Sequence, residues 1–253
     1  MTSTSSVEFN GQVVVISGAA TGIGKACAHL IAARGATVIA LDFNAAALSD
    51  LSKELSLNAN QSHVCDISSQ EQIDKAISAI LKDHGKIDAL INTAGIVGPS
   101  NTVVEDVNWP DFEKVLQVNL YGAIWLTQAV IPSMKDKKYG RIVHLASIAG
   151  KEGNPGLSPY NTSKAGMIGF VKGVAKEIAP DGITINSLAP AVIRTPMNAD
   201  TSDETLKYMI SRIPMGRIGE ASEAGEMIAF VVSPASSFTT GFVFDLSGGR
   251  ATY

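Results

Sequence analysis

One feature restricts the possible folds of this chain most. It is an apolar strand pattern that is followed directly by three spaced glycines and then by a helical pattern. The run Gln12–Ser17 reads QVVVIS, and Gly18, Gly22 and Gly24 follow it at the start of the helical segment. An apolar run without polar alternation is typical of a strand buried on both faces of a parallel sheet. Glycines between such a strand and a helix let the backbone approach a pyrophosphate, which the helix N-terminus can bind. The spacing GxxxGxG alone could be a simple turn, so its position after the strand carries the prediction.

Strand and helix patterns alternate along the rest of the chain. The other predicted strands are short apolar runs at Thr37–Leu41, Ser62–Cys65, Ile87–Ile91, Arg141–Ser147, Ile183–Leu188 and Phe242–Leu246. The predicted helices are Gly22–Arg34, Asn44–Ser56, Ser69–His84, a helix from Asn108 to about Met134, and Pro159–Ile178. This alternation predicts an α/β fold, a Rossmann-type doubly wound parallel sheet of about seven strands with helices on both faces. We expect residues 1–253 to form a single dinucleotide-binding and catalytic domain.

Composition and charge exclude several classes of protein. Hydrophobic residues make up 45% and charged residues 17% of the chain, so a mainly disordered state is excluded. The net charge of −4 argues against nucleic-acid binding, and no apolar run is long enough for a membrane helix. The first ten residues show no signal-peptide pattern, and Cys27 and Cys65 form no CxxC pair. We therefore expect a cytoplasmic protein with reduced thiols.

Asp42 ends the second predicted strand, about 20 residues beyond the glycines. A carboxylate at this point can accept hydrogen bonds from the ribose hydroxyls of adenosine and would repel a 2′-phosphate. No Lys or Arg lies between Gly18 and Gly24, and the residues after Asp42 are Phe43 and Asn44. The pattern favours NAD over NADP as the cofactor, although Asp42 could instead cap the following helix.

Tyr160 and Lys164 lie at positions i and i+4, which places both side chains on one face of the predicted helix. An ammonium ~4 Å from a phenol, at an effective dielectric of ~20, is worth about 4 kcal/mol, or about three pKa units. That interaction would move the pKa of Tyr160 towards neutrality, where a general acid/base works best. Ser147 ends a predicted strand at the edge where α/β sheets bind ligands, and its hydroxyl can bond a substrate carbonyl.

Together these residues resemble the short-chain dehydrogenase/reductase family. The family's motifs occur in its order, from residue 12 to the C-terminus, at Gly18–Gly24, Asn92–Gly95, Asn119, Ser147, Tyr160 with Lys164, and Pro190 to Thr195. The resemblance implies an NAD-dependent oxidoreductase that transfers hydride between nicotinamide and a secondary alcohol or ketone. The cofactor carries that chemistry and the protein positions it.

The resemblance also implies roles for the catalytic residues. Tyr160 would exchange a proton with the substrate oxygen, Lys164 would lower its pKa and bond the nicotinamide ribose, and Ser147 would orient the substrate. Asn119 would hold a water that relays protons between Lys164 and solvent. Two of these residues have a plainer interpretation, because Ser147 could cap the strand end and Asn119 could be an ordinary polar helix residue.

The implied cofactor site extends along the carboxyl ends of the strands. Asp66 would contact adenine unless it caps the next helix, and Ile193 and Thr195 would bond the nicotinamide carboxamide. The full set is Gly18, Thr21, Gly22, Ile23, Gly24, Asp42, Phe43, Cys65, Asp66, Ile67, Asn92, Ala94, Gly95, Tyr160, Lys164, Pro190, Ile193 and Thr195.

Three residues depart from the family pattern. Ser17 stands where the loop usually begins with Thr, and it keeps the hydroxyl. Thr93 replaces the second Asn of the usual NNAG, which would alter the adjoining backbone contact. Ala191 replaces the Gly that usually follows Pro190, and its methyl would narrow the nicotinamide pocket or tilt the ring. None of the three removes a catalytic group.

The run from Ser147 to Asn154 leaves the substrate open. It resembles dehydrogenases of 2-keto-3-deoxy sugar acids, such as L-fuconate or L-rhamnonate derivatives, and also 3-oxoacyl-carrier-protein reductases. Our hypothesis is that Lys151, Arg194 or Arg212 binds a substrate carboxylate, the alternative being that each is solvated. The expected substrate-binding residues are Ser147, Lys151, Asn154, Tyr160 and Arg194.

The remaining expectations concern metals, assembly and an alternative function. The four histidines show no metal-ligand spacing, so we predict no metal site.

Family members are commonly homotetramers that pack helices near 110–134 and 158–178 together, and small residues such as Gly169 and Gly173 permit close approach. These small residues could instead pack against the sheet of the same subunit.

A non-catalytic nucleotide sensor is the third function considered, although such proteins tend to lose the acid/base pair.

Overall fold

The computed structural model describes residues 8–199, 201–251 and 253, and its strands confirm the predicted sheet. The main sheet consists of β1 Val13–Ser17, β2 Thr37–Asp42, β3 Ser62–Val64, β4 Ala89–Asn92, β5 Gly140–Leu145, β6 Ile183–Pro190 and β9 Val243–Leu246. A separate short pair is formed by β7 Ile193–Arg194 and β8 Gly219–Glu220. The main strands are parallel, and their order in space is β3-β2-β1-β4-β5-β6-β9.

Helices cover both faces of this sheet. They are α1 Gly22–Ala33, α2 Ala45–Glu54, α3 Gln70–His84, α4 Trp109–Leu116, α5 Gly122–Lys137, α6 Ala149–Glu152, α7 Ser158–Ile178, α8 Asp203–Ser211 and α9 Ala221–Val231. Residues of α1, α2 and α9 belong to one core cluster, and residues of α3, α5 and α7 belong to the other.

The apolar run of β1 is buried on both faces, as its sequence predicts. Val14 and Ile16 lie in the core cluster with α1, α2 and α9. Val13 and Val15 point the other way, into the cluster with α3, α5 and α7. The alternation of side chains along a strand thus supplies both cores from a single short segment.

Strand β1 pairs with β2 on one side and with β4 on the other. The chain order therefore reverses at β1 and β4, and a crevice opens beyond their carboxyl ends. Gly18 follows β1 and Thr93 follows β4, so both residues lie at this crevice. This topology brings the predicted phosphate loop to the place where open α/β sheets bind ligands.

The predicted helix from Asn108 to about Met134 differs from the structure in two ways. The beginning is correct, because the Asn108 side chain accepts a hydrogen bond from the Asp111 N–H at 2.9 Å. However, a π-helical turn at Gln117–Tyr121 separates α4 from α5, and the helix continues to Lys137. A π turn holds one residue more than an α turn and changes the direction of its side chains.

Helix α9 was missed by the sequence patterns above. Ala224, Gly225 and Ile228 are buried on its face against α1, and a Cβ on Gly225 would lie 3.6 Å from Leu30. Small residues weaken the apolar periodicity on which a helix prediction depends. The buried positions Ala224, Ile228 and Val231 do have helical spacing, which is the signal that could have revealed it.

Residues 1–7 lie outside the described part of the chain, and with them most of the segment used to predict that no signal peptide is present. The one-domain prediction for residues 1–253 also includes them. Within the described residues, no helix combines the length and the apolar character needed to cross a bilayer.

Candidate functional site

The loop after β1 closes so tightly that glycine is required at two of its positions. A Cβ on Gly24 would lie 2.0 Å from the Gly18 carbonyl oxygen, and a Cβ on Gly18 would lie 2.7 Å from the Ala94 nitrogen. Gly18 also has a φ of +69°, a conformation that L side chains rarely adopt. Among the described residues, no side chain caps the N-terminus of α1, whereas Asn44 caps α2 and Ser69 caps α3. The first N–H groups of α1 therefore remain available to an anion.

Thr93 and Ser17 both join the ends of β1 and β4. The Thr93 hydroxyl donates to the Ser17 carbonyl at 2.8 Å, and the Ser17 hydroxyl donates to Asn92 Oδ1 at 2.5 Å. Thr93 also approaches the Gly18 carbonyl at 3.3 Å. At the position of this departure, the Thr93 hydroxyl therefore bonds the strand that leads into the glycine loop.

Asp42 is buried and its carboxylate binds two backbone N–H groups. One oxygen accepts from the Ala20 N–H at 3.0 Å and the other from the Asn44 N–H at 2.9 Å. The alternative that Asp42 caps α2 is wrong, since Asn44 accepts the capping bond from the Ala47 N–H at 3.1 Å. The carboxylate thus ties the glycine loop to the end of β2.

The residues predicted around adenine differ in what their side chains can contact. Phe43 and Asp66 are exposed, whereas Cys65 and Ile67 are buried in the core. Burial raises the pKa of the Cys65 thiol to about 11, so it is protonated at neutral pH. A bound nucleotide would therefore meet the backbone of Cys65 and Ile67. Asp66 does not cap α3, because Ser69 does.

Tyr160, Ser147 and Lys164 come together at the carboxyl ends of β5 and β6. The Tyr160 phenol is half-buried and forms a hydrogen bond with Ser147. Burial raises the pKa of Tyr160 above its ordinary value, and the bond with Ser147 opposes this only in part. Ser147 also accepts a hydrogen bond from the Ala149 N–H at 3.1 Å, so it does cap the turn after β5 as well.

Lys164 lies on the same face of α7 as Tyr160, as the i and i+4 spacing predicts. Its ammonium lies over the Tyr160 ring, 5.6 Å from the centroid, and donates to the Leu145 carbonyl at 2.6 Å. Burial lowers the pKa of Lys164 to about 8. Desolvation is the larger effect on the phenol in this arrangement, and a lowering of the Tyr160 pKa by Lys164 stays a prediction.

Asn119 lies in the π turn and joins three parts of the site. Its amide donates to the Ile96 carbonyl at 2.9 Å and to Ser163 Oγ at 3.0 Å, while its Oδ1 accepts from the Ile96 N–H at 2.8 Å. A Cβ on Gly95 would lie 3.1 Å from Asn119 Oδ1 and 3.4 Å from Lys164 Nζ. Asn119 is therefore not an ordinary polar residue on a helix surface, because it fixes the loop after β4 against α7.

A chain of buried hydrogen bonds runs beneath these residues and centres on His144. The ring contacts Asn92 Nδ2 at 3.1 Å through Nδ1 and the Thr127 hydroxyl at 2.9 Å through Nε2. Thr127 in turn donates to the Ala123 carbonyl at 2.7 Å. Thr127 therefore accepts from Nε2–H, and Nδ1 accepts from the Asn92 amide. Sequence patterns did not assign His144 any role.

We expect this buried histidine to weaken the fold in acid. Burial lowers the pKa of His144 from 6.5 to about 3, so the unfolded state binds a proton more tightly than the folded state. Stability therefore falls as the pH drops from 6.5 towards 3. Between pH 7 and pH 4.5, His144 should contribute about 2–3 kcal/mol to the loss in unfolding free energy.

Urea unfolding at the two pH values measures this contribution. His144→Asn should lose less unfolding free energy on acidification than the wild type. His63→Asn is the matched control, since His63 bonds the Asn60 carbonyl near the surface and should behave as the wild type does. Equal pH sensitivity in the wild type and His144→Asn would contradict the prediction.

The segment after β6 brings the predicted nicotinamide residues to the glycine loop. A Cβ on Gly22 would lie 3.3 Å from Thr195, so these two predicted cofactor residues are neighbours. The Pro190 carbonyl accepts from the Ile148 N–H at 3.1 Å, which holds the end of β6 beside the turn after Ser147. Ala191 and Ile193 line a cavity of about 60 Å³ whose lining contains none of Ser147, Tyr160 and Lys164, so the effect of Ala191 on the nicotinamide pocket stays a prediction.

The three cations predicted to bind a substrate carboxylate have different surroundings. Lys151 is buried and its ammonium pairs with Asp245 Oδ2 at 2.9 Å. Arg194 is exposed and pairs with Glu220 at 3.1 Å. Arg212 is exposed and its guanidinium has no hydrogen-bond or ion-pair partner among the described residues. Asn154, the other predicted substrate residue, accepts from Arg250 at 3.0 Å.

Comparisons with known proteins place this geometry in a family. The family model described as enoyl-(acyl carrier protein) reductase matches residues 18–251. The chain is 40% identical to a 2-dehydro-3-deoxy-L-rhamnonate dehydrogenase (NAD(+)) of Sphingomonas sp. (strain SKA58), with 97% of each chain covered. It is 38% identical to a 3-oxoacyl-[acyl-carrier-protein] reductase of Thermotoga maritima, over 96% of this chain and 99% of that protein. A solved structure of NAD+-bound xylitol dehydrogenase has a TM-score of 0.88 and 33% identity, covering 95% of this chain and 99% of that one.

Proposed function

Because the chain belongs to the short-chain dehydrogenase/reductase family, we propose that it is an oxidoreductase that transfers hydride between NAD and a secondary alcohol or ketone. The observation that carries the proposal is the meeting of Tyr160, Ser147 and Lys164 beside the glycine loop. A phenol bonded to a serine hydroxyl, with a buried ammonium over its ring, is a set of groups that can move a proton to or from a substrate oxygen.

The cofactor proposal rests on the shape and charge of the crevice. The glycine loop is closed too tightly to admit side chains at Gly18 and Gly24, and no described side chain caps the first N–H groups of α1. Asp42 supplies acceptors for ribose hydroxyls, and its negative charge would repel a 2′-phosphate. Lys25, the first cation after the loop, pairs with Glu54 at 2.7 Å. When bound, NAD supplies the nicotinamide carbon that accepts the hydride.

Each catalytic residue has a distinct task in this proposal. Tyr160 holds the proton that leaves or returns to the substrate oxygen, and Ser147 orients that oxygen by a hydrogen bond. Lys164 binds the nicotinamide ribose and keeps a positive charge close to Tyr160. Asn119 joins the loop after β4 to α7, the helix that carries Lys164, and would hold the water that relays protons between Lys164 and solvent.

For the substrate, we propose a 2-keto-3-deoxy sugar acid, the class named for the Sphingomonas relative. The alternative is a 3-oxoacyl thioester, the class named for the Thermotoga relative. That activity usually accompanies NADPH, and no described cation other than the paired Lys25 follows the glycine loop closely. A sensor without catalysis is disfavoured because Tyr160, Lys164, Ser147 and Asn119 are all present.

A substrate panel followed by NADH absorbance tests the proposal. The panel contains 2-dehydro-3-deoxy-L-rhamnonate, xylitol, simple secondary alcohols and a 3-hydroxyacyl thioester, each with NAD and with NADP. We expect oxidation of the sugar acid with NAD at a kcat/KM at least about tenfold above that for the uncharged alcohols. Turnover of the thioester alone, or with NADP alone, would contradict the proposed substrate and cofactor. Tight NAD binding without any turnover would favour the sensor.

Assembly into a homotetramer is part of the same proposal. On α7, a Cβ at Gly169 or Gly173 would meet nothing within 4 Å, so these positions leave space for another helix. Gly166, in contrast, faces Leu120 of the same chain, where a Cβ would lie 3.0 Å away. The small residues of α7 therefore serve both the intrachain packing and an outward face. We also propose that the protein is cytoplasmic.

A further inference from the structure

Arg250 and Tyr253 near the C-terminus border a cavity together with residues at the end of α8. Its volume is about 450 Å³, and its lining includes Glu152, Asn154, Tyr208, Arg212, Arg250 and Tyr253. A cavity of this size is within the range of small-molecule sites. None of the catalytic residues named above lies in its lining, so it is a separate part of the site.

One wall of this cavity is fixed to the helix that carries Tyr160. The Asn154 N–H donates to Asn161 Oδ1 at 3.1 Å, and the Asn161 amide donates back to the Asn154 carbonyl at 2.8 Å. Asn161 directly follows Tyr160, and the same wall is reached from Ser147 through the short helix α6. The cavity wall is therefore connected to the segments that carry Tyr160 and Ser147.

The C-terminal tail is attached to this wall at two points. Arg250 donates to Glu152 at 3.1 Å and to Asn154 at 3.0 Å, and its side chain is only 11% exposed. The Tyr253 hydroxyl donates to the Lys151 carbonyl. Arg250 and Tyr253 thus become part of the wall, and the guanidinium of Arg250 is used in these bonds.

Arg212 is the charge in this cavity that has no partner. Arg250 is neutralised by Glu152, whereas the Arg212 guanidinium makes no ion pair or hydrogen bond with any residue that the structure describes. Lys151 and Arg194 differ from Arg212 in this respect, because Lys151 pairs with Asp245 and Arg194 pairs with Glu220. The cavity therefore carries one uncompensated positive charge at the end of α8.

We propose that Arg212 binds the carboxylate of the substrate, and that the cavity selects a small, polar hydroxy or keto acid. A guanidinium can bind both carboxylate oxygens in parallel, which fixes orientation as well as affinity. This inference rests on the proposed dehydrogenase function and narrows its substrate class. It disfavours a fatty acyl chain, which would desolvate Arg212, Arg250 and Glu152 without offering them a partner.

The test compares Arg212→Gln with Lys207→Gln. Lys207 is exposed on the same helix, α8, and is not in the cavity lining, so its replacement removes an equal charge without touching the cavity. Arg212→Gln should raise the KM for 2-dehydro-3-deoxy-L-rhamnonate at least tenfold with little change in kcat, because a remote contact is made equally in ground and transition states. For xylitol, which has no carboxylate, KM should change less than twofold. Lys207→Gln should match the wild type on both, and Arg212→Lys should recover part of the affinity.

Two results would overturn the inference without affecting the proposed function. One is an unchanged KM for the acid in Arg212→Gln, and the other is an equal rise for the acid and for xylitol. If the wild type oxidises no alcohol with NAD, the proposed function is wrong. The inference is then tested separately, by calorimetric measurement of L-rhamnonate binding in the presence of NADH. Binding that is present in the wild type and lost in Arg212→Gln would support it, and no binding to the wild type would refute it. Thermal unfolding of each variant checks that the fold is intact.

Discussion

Replacing Tyr160 by Phe should lower kcat for alcohol oxidation by about 10³-fold, since the step loses its acid/base group. The replacement keeps the ring and therefore keeps the contact with the Lys164 ammonium, 5.6 Å from the centroid. It removes only the hydroxyl that bonds Ser147. The affinity for NADH, measured by fluorescence titration, should change less than about tenfold, because the phenol is one of many contacts expected along the cofactor.

Tyr121→Phe provides the control for this experiment. Tyr121 packs against Trp125 with a centroid distance of 6.0 Å, and no hydrogen bond of its hydroxyl to another described residue is present. Its replacement should leave kcat within about twofold of the wild type. If Tyr160→Phe retained more than about a tenth of the wild-type kcat, Tyr160 could not be the acid/base and the proton would have to move through another group.

The parts of the fold that could be predicted from sequence are those whose signals are local. The apolar run of β1, the glycines after it and the Asn108 cap each depend on residues close together in the chain, and the structure has all three. The parallel sheet with helices on both faces also follows, because strands and helices alternate along the chain. The predicted edge of the sheet therefore coincides with the edge where the candidate residues meet.

The features that could not be predicted depend on contacts between distant segments. Lys151 pairs with Asp245, and Arg250 pairs with Glu152, so the available charge could be found only once the C-terminal segment was placed. The π turn around Asn119 has no composition signal of its own, and it is held by bonds to Ile96 and Ser163. The bond from the Lys164 ammonium to the Leu145 carbonyl could not be predicted for the same reason, because Leu145 lies on β5.

Replacing Asp42 by Ala should change the preference for NAD over NADP by at least about 100-fold, because like-charge repulsion of the 2′-phosphate costs several kcal/mol. The kcat/KM for NAD should fall as the ribose hydroxyls lose their acceptor. The value for NADP should rise, since the Ala20 and Asn44 N–H groups that now bond Asp42 would become free to donate to a phosphate oxygen.

Asp50→Ala separates this local effect from a change in overall charge. Asp50 lies on α2, the helix that follows Asp42, and it is exposed and paired with Lys53 at 3.0 Å. Its loss should leave the ratio of the two kcat/KM values unchanged within about twofold, because exposed charges are strongly screened. Asp42→Asn keeps the shape of the side chain but removes the charge. Its amide NH2 group would face the N–H of Ala20 or of Asn44, so one of these two hydrogen bonds would be lost. If charge decides the preference, Asp42→Asn should accept NADP better than the wild type does, at some cost in stability. An unchanged NAD preference in both Asp42 variants would mean that other contacts exclude the 2′-phosphate, and Asp42 would then act only to join the glycine loop to β2.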